Sequence, residues 1–146
     1  MITTQLNLIR RGVFQKDVIS GNVSNYKHWT NKTKSCQQVK LWNIILRGDT
    51  GLDIPVKQEK FKRLIKIKRV ISGRMKPFDK VNLYTAIKPL EDALVNLGWL
   101  IDDSDIYRDL EVCQARCEDL DTWEREQVKY GSKIFVEIYD LEENIP

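Results

Sequence analysis

The residues best suited to chemistry in this sequence are aspartates that flank one helical pattern. Asp79 comes just before the pattern, and Asp102, Asp103 and Asp105 come just after it. Neighbouring aspartates such as Asp102 and Asp103 repel each other unless water or a cation screens them. Mg²⁺ binds through one or two carboxylates together with water and substrate phosphates, and a metal-bound water hydrolyses phosphodiesters. The spacing therefore predicts a Mg²⁺ site for phosphodiester hydrolysis, with solvated turn or capping aspartates as the alternative.

The helical pattern between these acids covers residues 82–97. Its apolar residues recur at intervals of three and four and form one continuous face: Leu83, Ile87, Leu90, Leu94 and Leu97. A straight helix of this length spans about 24 Å, which would hold its two ends apart. Pro89 removes one backbone donor, so we expect it to bend the helix or to mark the start of its regular part. Either outcome would let Asp79 and Asp103 approach each other.

A lysine and an aspartate lie four residues apart within this helix. Lys88 and Asp92 are spaced for an ordinary surface ion pair, which adds a few tenths of a kcal/mol to helix stability. Beside a metal and its carboxylates, the same ammonium would instead stabilise charge that develops on a phosphoryl oxygen. Both interpretations remain open at the level of the sequence.

The elements that must position these residues follow from hydrophobic periodicity. Alternating patterns predict strands over residues 5–10, 59–71 and 133–139, and a further helix fits residues 32–47. Residues 106–117 fit either a strand or a helix. The resulting order predicts an α+β fold, a mixed α/β sandwich with a small mixed sheet and two main helices. With 146 residues and no repeat or linker, the chain 1–146 is predicted to form a single domain.

Charge is divided unevenly along the chain. Residues 1–77 hold 17 Lys and Arg against 4 Asp and Glu, whereas residues 78–146 hold 7 against 17. A basic surface can neutralise phosphates, although the two halves can also simply pair with each other. The basic residues predicted to contact a DNA backbone surround the second strand: Lys60, Lys62, Arg63, Lys66, Lys68, Arg69, Arg74 and Lys76. For the lysines of that strand, a solubilising role is the alternative.

Composition excludes several classes of protein. The single histidine argues against a multi-histidine zinc site and a Ser-His-Asp triad. Three cysteines without a Cys-x-x-Cys pair argue against a disulfide framework and favour reduced thiols in a cytoplasm. No apolar run approaches the roughly 20 residues that span a bilayer. We therefore expect a cytoplasmic protein without membrane attachment.

A longer pattern in this region resembles a known family. Residues 78–104 contain Asp79-Lys80-Val81-Asn82-Leu83, then Lys88, Asp92-Ala93-Leu94, Gly98 and Asp102-Asp103. This run resembles the signature of RusA-like Holliday junction resolvases, which is Asp-x-Asp-Asn-Leu, a lysine, Asp-Ala-Leu, a glycine and Asp-Asp. The Lys-Pro step before Asp-Ala-Leu is similar to phage and prophage members. Residues 22–29 and 133–139 also resemble the corresponding parts of some members.

The resemblance implies a Mg²⁺-dependent homodimeric endonuclease, with Mn²⁺ as a possible substitute, that cuts four-way DNA junctions symmetrically in a bacterial or phage-infected cell. It implies catalytic roles for Asp79, Lys88 and Asp103. By position, Asp79 and Asp103 would bind the metal with Asp102, while Asn82 and Asp92 would support them.

One departure from the family pattern concerns a metal ligand. The second acid of Asp-x-Asp-Asn is Val81 here, which cannot coordinate a cation. Glu91, Asp92 or Asp105 would have to replace it. Three hypotheses follow: an active junction nuclease, a DNA-binding protein of the same fold that has lost cleavage, and an interaction protein whose basic and acidic halves bind each other in an oligomer.

Overall fold

The computed structural model describes residues 5–14 as backbone, and residues 39–40, 42–43, 56–71, 73–74 and 76–146 with their side chains. Most of the predicted helix over 32–47 and the whole segment 22–29 lie outside these residues, but residues 39–40 and 42–43 are helical. The chain forms two compact units. Unit 1 comprises residues 1–17, 58–77 and 104–146, and unit 2 comprises residues 18–57 and 78–103.

Unit 1 is built on a four-stranded mixed sheet. Its strands are β1 (Gln5–Phe14), β2 (Phe61–Ile71), β3 (Arg108–Arg116) and β4 (Ser132–Asn144), in the order β1-β4-β2-β3. β4 pairs antiparallel with β1 and β2, while β2 and β3 pair in parallel. Parallel neighbours need a long crossover, and the segment between β2 and β3 contains the first helix. The predicted mixed sheet and α+β class are confirmed, and the ambiguous range 106–117 contains the strand β3.

One face of this sheet packs against a short helix, α2 (Thr122–Lys129). Val70, Leu120 and Phe135 are buried together there. The Trp123 ring lies 5.7 Å from that of Phe135 at 56°, a tilted pair of the kind that adds to burial. The helix begins with a capping box in which Asp121 and Glu124 each bond the other's backbone N–H.

Unit 2 contains the main helix, α1 (Lys80–Asn96), close to the predicted 82–97. It continues through Pro89, so Pro89 does not mark the start of its regular part. Gly98 ends it in the left-handed region at φ +91°, where glycine is favoured. The N–H groups of Gly98 and Trp99 donate to the carbonyls of Val95 and Leu94, which is a Schellman motif.

Candidate functional site

Four charged side chains meet at the C-terminal half of α1 and the loop after it. The Lys88 ammonium lies 3.3 Å from Asp92 Oδ1 and 3.8 Å from Glu91 Oε1. Its closest contact is with Asp103 Oδ2, beyond the end of the helix. One cation therefore bridges three carboxylates that would otherwise repel each other. All four residues belong to unit 2.

These carboxylates differ in their access to solvent. The Glu91 side chain is only 3% exposed, whereas those of Asp92 and Asp103 are 37% and 31% exposed. A ligand arriving from solvent would thus meet Asp92 and Asp103 first. Glu91 supplies negative charge from beneath the surface.

The loop after α1 directs Asp103 back to the helix. Trp99 and Leu100 are buried and anchor the start of the loop. Asp102 Oδ1 then accepts a hydrogen bond from the Asp103 N–H at 2.8 Å, which fixes the backbone at that step. Asp102 therefore positions Asp103, in addition to bringing its own charge to the site.

A cavity of about 550 Å³ adjoins this cluster. Its polar lining comes from the end of α1, the loop and the helical residues earlier in the chain: Lys40, Asn43, Asp92, Asn96, Asp102 and Asp103. Asn43 Oδ1 is buried and has no hydrogen-bond partner among the described residues. A buried acceptor without a partner is unfavourable unless a ligand or water satisfies it. Lys40 and Asn43 lie in the predicted helix over 32–47, but nothing in the sequence pattern indicated that they face these acids.

Asp79 lies at the start of α1. It caps the N-terminus of α1, where Oδ1 accepts from the Asn82 N–H at 2.8 Å and Oδ2 accepts from Asn82 Nδ2 at 2.9 Å. A helix rises about 1.5 Å and turns about 100° per residue, so nine residues separate Asp79 from Lys88 by about 13 Å along the axis and half a turn around it. The structure brings Asp79 and Asn82 together, at the opposite end of α1 from the contacts of Lys88.

Val81, which stands where the family pattern has an acid, lies on the same side of α1 as Lys88. Seven residues separate the two, which is close to two helical turns. Val81 is 75% exposed, and Thr85 lies between it and Lys88 on the same side. An acid at position 81 would therefore face solvent on the Lys88 side of the helix.

The donor set suits a hard divalent cation. Carboxylate and amide oxygens are the ligands that Mg²⁺ prefers, and one or two carboxylates are enough when water completes the shell. Asp92 and Asp103 offer such oxygens at one cavity, which Asn43 also lines. No family model, curated protein or solved structure matches the chain. A function for this chain must therefore be inferred from these residues and from the pattern over residues 78–104.

The ammonium of Lys88 stands among the acids that would hold a metal. Among the residues that the structure describes, no group of three or more His, Cys, Asp or Glu side chains could hold a metal ion. Asp92 and Asp103 both turn to Lys88 instead. This arrangement offers two accessible carboxylates to an incoming cation rather than a closed cage.

Two of the predicted DNA-contacting residues do not lie on a basic surface. Arg63 and Arg69 are 1% and 2% exposed. Arg63 Nε donates to Asp140 Oδ1 at 2.8 Å, and Arg69 Nη1 donates to Gln114 Oε1 at 2.9 Å. Both arginines share the inner side of β2 with Ile65, because alternate residues of a strand face the same way. For Arg63 and Arg69, the expectation of an exposed phosphate contact is therefore wrong.

The other six basic residues that were predicted to contact DNA fall into two groups. Lys62, Lys66 and Lys68 are partly exposed and form ion pairs with Asp109, Glu111 and Glu124. The others are exposed: Lys60, Arg74 and Lys76. The exposed group is the part of the predicted basic surface with the most freedom to meet a phosphate.

Glu124 is buried, although the other acids of the run over residues 118–126 are exposed. Its Oε2 accepts from Lys68 Nζ at 2.8 Å, and its side chain is 7% exposed. Burial alone would lower the pKa of Lys68, but the hydrogen bond and charge of Glu124 raise it above its ordinary value. The spacing Asp121-x-x-Glu124 is a capping-box signature, which was the sequence signal for this helix.

The helix lengths provide one further observation. Among the described residues, neither helix is long and apolar enough to cross a membrane.

Proposed function

We propose that this chain is a Mg²⁺-dependent, structure-selective endodeoxyribonuclease that hydrolyses phosphodiesters at four-way DNA junctions. The observation that carries the proposal is the contact of Lys88 with Asp103, which joins the lysine of the helix to the paired aspartates beyond it. Because residues 78–104 resemble the signature of junction resolvases, we propose a four-way DNA junction as the substrate. DNA junctions in a bacterial or phage-infected cell lie in the cytoplasm, so we propose a cytoplasmic location.

The chain's own residues have distinct tasks in this proposal. Asp92 and Asp103, which line the cavity, would hold the cation, and Asp102 keeps the Asp103 backbone in place. A bound Mg²⁺ would supply a Lewis acid and an acidified water. Lys88 neutralises charge on the phosphoryl oxygens in the transition state. Water adds across one P–O bond, which leaves a phosphate on one strand end and a hydroxyl on the other.

DNA contacts in this proposal come from exposed basic residues and read no sequence. Lys60, Arg74 and Lys76 neutralise backbone phosphates. Two symmetric cuts across one junction require two active sites related by a two-fold axis, so we propose a homodimer.

Cleavage of a labelled four-way junction tests the proposal. Paired nicking should require Mg²⁺, should stop with chelator, and should be stronger on the junction than on duplex of the same sequence. Asp103→Asn should reduce it at least about 100-fold, whereas Asp105→Asn, whose side chain is 97% exposed, should not. Equal activity of wild type and Asp103→Asn would contradict the proposal.

The second candidate is a junction-binding protein that has lost cleavage. Val81 favours it, because the acid of the family pattern is absent and Asp79 caps the helix instead. Salt-sensitive binding of the junction without nicking, in Mg²⁺ or Mn²⁺, would select this candidate. If the protein neither binds nor nicks the junction at low salt, the third hypothesis is left, an interaction protein whose basic and acidic halves bind each other in an oligomer.

A further inference from the structure

The position of Lys88 has a consequence for how the site takes up a metal. To act in catalysis, the Lys88 ammonium needs to contact only the phosphate. In this structure it contacts the carboxylates of Asp92 and Asp103. Nζ contacts Asp103 Oδ2 and lies 3.3 Å from Asp92 Oδ1. These are the same two oxygen-bearing side chains that solvent reaches and that line the cavity.

We infer that Lys88 acts as a resting counter-ion, which holds Asp92 and Asp103 together in the metal-free protein and competes with a divalent cation for them. The inference rests on the proposed metal site and assigns a regulatory step to it. Lys88 stabilises the empty site and must withdraw when a cation enters. The withdrawn ammonium is then available for the phosphate.

Electrostatic repulsion is the reason why the Lys88 ammonium and a divalent cation would compete for the carboxylates of Asp92 and Asp103. An ammonium and a divalent cation within about 4 Å repel each other strongly even in water. If Lys88 kept its contacts, the incoming ion would meet a positive charge at the mouth of the site. With half of its side chain exposed, Lys88 has room to swing into solvent.

Two further features point to a ligand at this place. Asp92 and Asp103 both line the cavity of about 550 Å³, so space exists beside the carboxylates. Asn43 also lines this cavity, and its buried Oδ1 has no hydrogen-bond partner among the described residues.

Binding of Mn²⁺ to the full chain, followed by calorimetry and by the loss of free-ion electron paramagnetic resonance signal, tests this inference. Lys88→Met keeps the length of the side chain but removes the charge, and should tighten Mn²⁺ binding about tenfold. Lys80→Met removes an exposed lysine from the start of the same helix and should leave the affinity unchanged. Equal or weaker binding by Lys88→Met than by wild type would overturn the inference.

The experiment separates this inference from the proposed function. If wild type binds Mn²⁺, Asp103→Asn abolishes binding and Lys88→Met binds like wild type, the metal site stands and the competition is wrong. If no variant binds Mn²⁺, both are wrong.

A second measurement needs no variant. Acetylation of Lys88 relative to Lys80, read by mass spectrometry of peptides, should rise severalfold when Mg²⁺ is added to the wild-type protein. An unchanged ratio at a Mg²⁺ concentration that supports cleavage would also overturn the inference.

Discussion

Lys88 and Asp103 are fifteen residues apart in the chain, yet their charged groups are in contact. The contact depends on the Schellman turn at Gly98, which reverses the chain after α1, and on Asp102, which fixes the backbone of Asp103. The acidic loop is therefore held at the last turns of the helix rather than at its beginning. This relationship places the candidate metal site at Asp92 and Asp103.

The first prediction concerns the acid that the family pattern has at position 81. Val81→Asp should leave junction cleavage and Mn²⁺ affinity close to those of the wild type, because eleven helical residues, about 16 Å along the axis, separate position 81 from Asp92. Val81→Leu, which changes shape but adds no oxygen ligand, is the matched control. Cleavage that rises in Val81→Asp but not in Val81→Leu would show that position 81 reaches the metal and would contradict a site at Asp92 and Asp103.

The second prediction separates the two roles available to Asp79. Asp79→Ala should lower the free energy of unfolding by about 0.5–2 kcal/mol, since it removes the cap of α1. Asp79→Ser retains a capping oxygen without a carboxylate, so its stability and its cleavage should both stay close to wild type. Urea unfolding and junction cleavage measure the two effects. A stable Asp79→Ser protein that cleaves as poorly as Asp103→Asn would make Asp79 a metal ligand instead.

Sequence patterns predicted the elements with strong periodicity and missed those set by tertiary pairing. α1 and β2 match their predicted ranges within a few residues, because each carries several apolar residues in one period. β3 was ambiguous because the alternation of Leu110 and Val112 with charged residues is typical of a strand, whereas Glu111, Gln114 and Ala115 are good helix formers. The sheet order and the path of the acidic loop depend on long-range contacts that no local pattern contains.

Charge alone did not predict which basic residues of β2 are exposed. Arg63 and Arg69 share the parity of Ile65 and Ile67, so strand alternation already placed them on the apolar side. Their burial then required partners, and Asp140 on the neighbouring strand lies opposite Arg63. Composition identified a basic segment, but register decided which of its cations face solvent.

The third prediction concerns the ion pair that ties β2 to α2. Lys68→Met should destabilise unit 1 by about 1–3 kcal/mol, because it leaves the buried Glu124 carboxylate without its lysine. Lys133→Met removes an exposed lysine from β4 and is the control. Urea unfolding at pH 7 measures both. A Lys68→Met protein as stable as the control variant would mean that the pair contributes nothing net.

The fourth prediction follows from the pKa of Lys68, which Glu124 raises above its ordinary value of 10.5 against the effect of burial. A raised pKa in the folded state stabilises the protein at all pH values below 10.5. That contribution is lost as the pH rises through the folded-state pKa. The stability difference between wild type and Lys68→Met should thus be constant from pH 7 to about pH 9 and shrink above pH 10.5. A difference that grows with alkaline pH would contradict the assignment.

The fifth prediction concerns Cys113, which lines a second cavity, of about 250 Å³, on the sheet of unit 1. Burial raises the pKa of this thiol, and the positive charge of Lys68 lowers it in part. Because the thiolate is the reactive form, Cys113 should react with iodoacetamide more slowly than a small free thiol at pH 8. Lys68→Met should slow the reaction further, as followed by peptide mass spectrometry. Faster alkylation in Lys68→Met than in Lys133→Met would argue against this electrostatic link.

The most direct test of a cation site at Asp92 and Asp103 is anomalous diffraction from crystals of the full chain soaked in Mn²⁺. We expect a manganese peak between these two carboxylates, with the Lys88 ammonium withdrawn from both. A manganese peak at Asp79 instead, or a native-like contact between Lys88 and Asp103 with no manganese near it, would contradict the account.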